Sequence, residues 1–107
     1  MDAKAFSFEE VVTAHVVGGE MWHEFLRLPA LSMGLFVIPA GGSDPQSPHS
    51  EDEVYYVVSG RGRLTAGDQE FTAEPGSILF VAKQIPHKYH SVTEELRVLV
   101  FFAPAHT

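Results

Sequence analysis

The chain has 107 residues, of which 45% are hydrophobic and 20% charged, and it contains no cysteine. This length supports one domain with one core, and the lack of cysteine excludes disulfides, thiolate metal ligands and cysteine nucleophiles. The net charge of −7 argues against nucleic-acid binding, since no basic stripe accompanies it. The longest apolar run, residues 98–103, is too short to span a bilayer. We therefore expect a single domain over residues 1–107 that is soluble, cytoplasmic and independent of membranes.

The N-terminal stretch predicts the only helix. Ser7 and Glu10 have the spacing of a capping box, in which each side chain satisfies a free backbone amide of the first helical turn. This signal predicts a short helix over about residues 8–13, within an N-terminal arm of residues 1–20.

Beyond the arm, β-rich runs alternate with turn signals built from glycine, proline and aspartate. They predict about eight short strands, at residues 21–28, 31–38, 53–59, 63–66, 69–73, 78–82, 87–92 and 96–102. The run 31–38 is apolar at both parities, which is typical of a strand buried on both faces. Glycines at 60 and 62 predict a turn there. The pattern favours an all-β fold, a barrel or jelly roll over about residues 21–104.

Metal-ligand side chains cluster before one strand and at the start of another. His49 and Glu53 are four residues apart, so on a straight strand they would lie roughly 13 Å apart at about 3.3 Å per residue. They can share one ion only if the chain bends at residues 50–52. His87, which follows Pro86, would supply a second imidazole. Two imidazoles and one carboxylate match the facial arrangement of non-haem iron sites, which leaves coordination positions open.

A plainer interpretation of the same residues stays open on local pattern alone. His49 would then be a surface histidine, residues 51–53 a solvated acidic turn, and His87 and His90 ordinary strand-end residues. By strand parity His90 faces away from His87. His15, His23 and His106 have no partner spacing, and no role is assigned to them.

The spacing of these residues resembles the first motif of the cupin superfamily. That motif is a glycine, five residues, His-x-His, three or four residues, a glutamate, six residues and a glycine. The corresponding positions here are Gly41, Ser47, His49, Glu53 and Gly60. Ser47 therefore stands where the family has its first histidine.

A second stretch resembles the second cupin motif, which is a glycine, five residues, Pro-x-Gly, two residues, a histidine, three residues and an asparagine. The corresponding positions are Gly76, Ala82, Gln84, His87 and Ser91. Only the first glycine and the histidine are retained. The resemblance covers about residues 41–91 and includes both motifs in the family's order.

The resemblance implies a double-stranded β-helix, here with a short N-terminal helix, that holds a divalent transition metal at its mouth and commonly forms a homodimer. Three of the four usual ligands carry over, as His49, Glu53 and His87. Gln46, beside the vacant position, is a candidate fourth ligand through its amide oxygen if the strand is bulged there, and water is the alternative. Iron is the leading metal, with manganese, nickel and zinc as alternatives.

The resemblance also implies a small-molecule ligand or substrate. Dioxygenase-like chemistry is the leading hypothesis, since three protein ligands leave positions for substrate and oxygen. Tyr55 shares the parity of Glu53, and Tyr89 that of His87, so either could donate a hydroxyl to a substrate or pack as a core aromatic; Glu51 could assist proton transfer. The alternatives are a non-catalytic small-ligand-binding cupin and a metal-dependent isomerase or lyase.

Overall fold

The structure is a computed structural model that describes residues 3–44 and 48–107. Over those residues the chain forms one helix and six strands, and the helix is too short to cross a membrane. The elements are α1 (Phe8–Gly18), β1 (Trp22–Leu28), β2 (Leu31–Ile38), β3 (Asp52–Ala66), β4 (Gln69–Ala73), β5 (Ile78–Val81) and β6 (His87–Ala103). The all-β prediction with one N-terminal helix is confirmed.

The strands form one antiparallel sheet in the order β1-β2-β6-β3-β4, and β5 pairs with the first half of β3. The central pair, β3 and β6, is long and runs from Asp52 opposite Ala103 to Ala66 opposite His87. This register brings the start of β6 to the far end of β3. The sheet encloses a core of apolar side chains that includes Val57, Leu64 and Leu96.

Helix α1 is longer than the sequence predicted. Ser7 caps it in extended conformation and accepts a hydrogen bond from the Glu10 amide at 3.3 Å, as the capping-box spacing indicated. The helix continues to Gly18 because nothing before Gly19, which is left-handed at φ 73°, interrupts it. Of its residues only Val11 is fully buried, so α1 covers the outside of the sheet and leaves the barrel interior free.

Strand β2 is buried on both faces over most of its length, as predicted. Phe36 and Ile38 point into the barrel core. Leu35 and Val37 point outward and pack with Val11 of the helix. The apolar residues at both parities therefore serve two separate cores.

A predicted turn and a predicted gap between two strands are both absent, which reduces the predicted eight strands to six. The first, at residues 60–62, is a series of register irregularities inside the continuous strand β3. Gly60 has φ 95°, and a Cβ placed there would lie 2.1 Å from the carbonyl oxygen of Glu95. The glycine is required because two backbones approach closely at a bulge, which produces the same sequence signal as a turn. The second predicted break, at residues 93–95, lies opposite this bulge and also remains in strand, within β6.

Candidate metal centre and adjoining cavity

Two separate loops are joined by hydrogen bonds to build the site. His49 lies outside any strand, and the chain bends at Ser50 and Glu51 before β3 begins, within the segment where a bend was expected. The carbonyl oxygen of His49 accepts a hydrogen bond from the Gln84 amide at 2.8 Å. The Asp52 carboxylate accepts one from the Lys83 amide, also at 2.8 Å. These bonds fix the first motif segment against the loop that leads to His87.

The bend brings the three predicted ligands together. One ligand atom each from His49, Glu53 and His87 lies within 4.8 Å of the others. Glu53 is the second residue of β3 and His87 the first of β6, and both side chains are 1% exposed. Side chains far apart in the sequence therefore converge on one buried point at the end of the barrel.

The ring of His87 is held in one tautomer. Its Nδ1 lies 2.9 Å from the carbonyl oxygen of Ile85, and because a carbonyl only accepts, Nδ1 must carry the proton. The Nε2 lone pair of the neutral ring then faces Glu53, whose Oε1 is 2.7 Å away. A lone pair and a carboxylate oxygen at this distance repel each other, so the arrangement requires either a proton on Nε2 or a metal ion bound to both atoms. A backbone carbonyl on the other ring nitrogen is the usual support of a metal-ligating histidine.

The hydrogen bonding around this point is incomplete. Both carboxylate oxygens of Glu53 and Nε2 of His87 are buried and have no hydrogen-bond partner of acceptable geometry among the described residues. Buried polar atoms are normally satisfied, since leaving one unpaired costs roughly 1–3 kcal/mol. Unpaired imidazole nitrogen and carboxylate oxygen at one buried point fit a divalent transition metal, which binds both types of donor.

The pKa values of the two imidazoles, His49 and His87, are shifted in opposite directions. Burial lowers the pKa of His49. The nearby His106 and His87 rings lower it further, whereas the Glu53 carboxylate raises it and offsets part of the shift. Burial would also lower the pKa of His87, but the Glu53 carboxylate and the Ile85 carbonyl outweigh it and raise the pKa overall. A metal must displace the proton that His87 favours, so metal affinity should fall as the pH is lowered.

Both tyrosines named from strand parity lie inside the barrel beside these ligands. The Tyr55 ring is 6.1 Å from that of His87 and 5.2 Å from that of Tyr89, measured between centroids. The Tyr89 hydroxyl is buried and has no partner among the residues described. Burial, together with the charges of Glu53 and Asp44, raises the pKa of Tyr89 well above its usual value. The hydroxyl therefore stays protonated and can act as a donor.

Glu51 is also buried, but its oxygens have partners. Its Oε1 accepts from Nδ1 of His106 at 3.1 Å. Its Oε2 accepts from the hydroxyls of Thr107, at 3.0 Å, and Ser50. Although burial alone would raise the pKa of Glu51, these hydrogen bonds lower it to about 2. Glu51 therefore attaches the C-terminal residues to the loop that carries His49.

A cavity of about 340 Å³ opens beside the metal group, and His49 and His106 form part of its wall. The other lining residues are Glu20, Met21, Trp22, Phe36 and Phe102. The predicted ligand His49 thus belongs both to the metal group and to the cavity.

The remaining site predictions have different outcomes. Gln46 and Ser47 lie outside the described residues, so the proposed fourth ligand stays a prediction. Nε2 of His90 lies 2.8 Å from the Thr65 hydroxyl and 3.3 Å from Glu70. His90 is in neither of the candidate metal groups found among the described residues, in agreement with its parity.

Sequence reasoning missed two residues of the site. Asp44 is 1% exposed and accepts a hydrogen bond from the Tyr89 amide at 2.8 Å, which ties the loop before His49 to β6. An aspartate after glycines is an ordinary loop signal, and nothing local distinguishes it. His106 is the other, and its distance from both motifs gave no clue that the C-terminal residues return to the site.

Comparison with known proteins agrees with this geometry. Residues 34–102 match the Cupin domain family. An uncharacterized protein of Streptomyces coelicolor is 41% identical over 101 residues, covering 94% of this chain and 96% of its own length.

Two solved structures have the same fold. A protein of Klebsiella pneumoniae with a double-stranded beta-helix domain aligns with a TM-score of 0.79 at 18% identity, over 97% of this chain and 92% of its own. An RmlC-like cupin of Methanocaldococcus jannaschii aligns with a TM-score of 0.75 at 17% identity, over 98% and 94%. The fold is the cupin double-stranded β-helix, and the chain belongs to the cupin family.

Proposed function

We propose that this protein binds a divalent transition metal through His49, Glu53 and His87 and acts on a small organic molecule held in the adjoining cavity. The observation that carries the proposal is the buried contact of 2.7 Å between Glu53 Oε1 and His87 Nε2, at which neither carboxylate oxygen nor Nε2 has a hydrogen-bond partner of acceptable geometry among the described residues. A closed structural site is disfavoured because three protein ligands leave positions open.

Iron is the metal we favour, because two imidazoles and one carboxylate form its usual open site, with manganese, nickel and zinc as alternatives. A bound iron would supply Lewis-acid and redox chemistry at its open positions. Of the chain's own residues, Tyr89 presents a protonated hydroxyl as donor, and Tyr55 packs between the Tyr89 and His87 rings. We propose Glu51 as a group that fixes His106, in place of the proton transfer first expected of it, because its oxygens are already hydrogen-bonded.

Metal loading tests the proposal directly. The purified protein is loaded anaerobically with iron, manganese, nickel or zinc, and the bound metal is counted by elemental analysis. We expect about one ion per chain in the wild type and at least a hundred-fold weaker binding in His87→Ala. His90→Ala is the matched control, since it removes a histidine three residues away that makes only outer contacts. A folded wild type that retains none of the four metals would contradict the proposal.

Oxygen consumption separates the possible reactions. A dioxygenase consumes oxygen during turnover, whereas a metal-dependent isomerase or lyase does not. The second candidate, a non-catalytic ligand-binding cupin, is favoured by the cavity, because its volume of about 340 Å³ suits a small molecule whether or not chemistry follows. Thermal stabilisation by a metabolite without turnover would support it.

We further propose a cytoplasmic homodimer without nucleic-acid or membrane partners. The outer face of β5 and β3 supports the dimer, because Ile78 is 72% exposed, Phe80 is 61% exposed, and their cross-strand neighbours Tyr56 and Val54 extend the apolar surface. Light scattering should give twice the chain mass for the wild type and the single mass for Phe80→Glu. A monomeric wild type at micromolar concentration would exclude the dimer.

A further inference from the structure

The cavity beside the metal group has apolar walls except at one side. Trp22, Phe36 and Phe102 supply aromatic surface, and Met21 adds a flexible apolar side chain. Its volume of about 340 Å³ is in the range of sites for small organic ligands. The ring nitrogens of the two lining histidines are therefore the main groups with which a ligand could form hydrogen bonds.

Charge at the cavity disfavours an anionic ligand. Glu20 lines it, and no lysine or arginine is among the described residues that do so. In the metal-free protein, an anion would lose its hydration without gaining a lysine or arginine partner among these lining residues. A neutral molecule with a flat apolar body fits these walls better.

His106 is held in a fixed position at the polar side of this cavity. Its Nδ1 is bound to Glu51, and its backbone amide donates to the buried hydroxyl of Ser32 at 2.8 Å. Its ring stacks on Phe102 with centroids 4.4 Å apart and planes 17° from parallel. The position of the ring is therefore set by the protein before any ligand enters, which reduces the entropy lost on binding.

The partner of Nδ1 determines what the other nitrogen can do. The other carboxylate oxygen of Glu51 accepts from the hydroxyls of Thr107 and Ser50, and the oxygen that faces His106 accepts in the same way, so Nδ1 of His106 donates to it. In the neutral ring, Nε2 then has a lone pair on the opposite edge and accepts a hydrogen bond. Such a nitrogen recognises an O–H group.

We propose that the cavity binds a neutral, planar, largely apolar molecule that carries a hydroxyl group, and that His106, oriented by Glu51, is the residue that accepts the hydrogen bond of that hydroxyl. This inference rests on the proposed function only in placing the ligand beside the metal group. It assigns the chemical class of the ligand and a specificity-determining residue in the C-terminal segment.

A second metal position is the rival explanation, since His49, Glu51 and His106 also offer ligand atoms within 4.8 Å of one another. Glu51, however, already accepts hydrogen bonds from His106, Thr107 and Ser50. A metal there would have to break these bonds, whereas the oxygens of Glu53 have no hydrogen-bond partner of acceptable geometry among the described residues.

The test uses metal-free full-length protein with a chelator present, at pH 8, so that no metal can contribute to binding. The probes are phenol, toluene and anisole, and their dissociation constants are measured by NMR titration. Toluene has the same ring without the hydroxyl, and anisole retains the oxygen without its proton. An apolar cavity lacking an acceptor would favour toluene, because phenol loses the hydration of its hydroxyl.

In His106→Leu, we expect phenol to bind about ten-fold more weakly than in the wild type, since its hydroxyl is left unpaired. Toluene and anisole should bind both proteins alike. His106→Gln, which retains an acceptor, should restore part of the phenol affinity, and it serves as the second variant if the leucine variant does not fold. Glu51→Gln should weaken phenol less than His106→Leu does.

Three results would overturn the inference. These are a phenol-to-toluene ratio unchanged by His106→Leu, an anisole response equal to that of phenol, and failure of the wild type to bind either phenol or toluene. Zinc binding by the Glu53→Gln variant tests the rival explanation. If this variant takes up zinc, and the uptake is lost when His106 is also replaced, the metal lies at His49, Glu51 and His106. The titrations need no metal, so their failure is distinguishable from failure of the metal centre itself.

Discussion

Glu51 and Glu53 stand two residues apart, and each is almost fully buried beside a histidine, yet their surroundings are opposite. Glu51 accepts hydrogen bonds from His106, Thr107 and Ser50. Glu53 has no hydrogen-bond partner of acceptable geometry among the described residues, although Nε2 of His87 is 2.7 Å from it. Burial alone therefore does not distinguish the two carboxylates, and the proposal of Glu53 as a metal ligand depends on the hydrogen bonds that its oxygens lack among the described residues.

The difference follows from where each side chain points. Glu53 and Tyr55 alternate with exposed positions along β3, so both face the barrel interior, where few donors exist. Glu51 lies in the bend before the strand and faces the returning C-terminus, whose polar groups satisfy it. The Glu51 carboxylate is therefore satisfied within the fold, whereas we propose that the Glu53 oxygens bind a metal.

The largest effect on stability should come from replacing the satisfied carboxylate. Glu51→Leu removes the acceptor of three side-chain donors, so we expect the free energy of unfolding to fall by about 3 kcal/mol. Urea denaturation measures this. Glu94→Leu, which removes only an exposed pair with Arg61, should change it by less than about 1 kcal/mol. Equal effects of the two substitutions would show that the Glu51 hydrogen bonds contribute little.

The pH dependence of the free energy of unfolding should also show the contribution of Glu51. The pKa of Glu51 falls from an ordinary 4.5 to about 2 on folding, so its contribution is fully present above pH 4.5. It is lost as the pH falls from 4.5 towards 2, and it amounts to at most about 3.5 kcal/mol at about 1.4 kcal/mol per pKa unit. Denaturation between pH 6 and pH 2 should therefore have a steeper slope in the wild type than in Glu51→Gln. Parallel slopes would contradict the assignment.

Neutralising Glu53 should raise the free energy of unfolding, whereas replacing Glu51 should lower it. In metal-free protein at pH 8, Glu53→Gln removes a buried charge that lacks a hydrogen-bond partner of acceptable geometry in the described part of the chain, so we expect it to stabilise the fold by about 1–2 kcal/mol. Thermal and urea unfolding with a chelator present measure this. Destabilisation comparable to that of Glu51→Gln would mean that Glu53 has a stabilising role in the absence of metal.

The smallest expected effect concerns Tyr89. Tyr89→Phe removes a buried hydroxyl with no partner among the described residues, so the metal-free protein should gain up to about 1 kcal/mol. A loss of more than 1 kcal/mol would indicate that the hydroxyl has a partner within the protein and is not available to a ligand. The metal content of this variant should equal that of the wild type.

Much of the fold was predictable because its signals are local. The capping box at Ser7 and the apolar run of β2 each determine a structure over a few residues, and both predictions are confirmed. The turn predicted at residues 60–62 was wrong because a glycine required by close backbone contact has the same local signature as a turn glycine. Only the partner strand distinguishes the two cases, and a sequence alone does not reveal it.

The site was predictable only in part, for a similar reason. The spacing of His49, Glu53 and His87 carried a family pattern, and the structure brings these residues together. His106 has no such spacing, because its place depends on the whole of β6 returning beside β2 and on the contact with Glu51. Whether a buried glutamate is satisfied likewise depends on atoms distant in sequence.

Metal content of three proteins tests the central claim most directly. Wild type, Glu51→Gln and Glu53→Gln are loaded with iron or zinc under the same conditions, desalted and analysed for metal per chain. We predict about one ion in the wild type and in Glu51→Gln, and less than a tenth of an ion in Glu53→Gln. Equal metal in the two variants, or loss of metal from Glu51→Gln alone, would contradict the account.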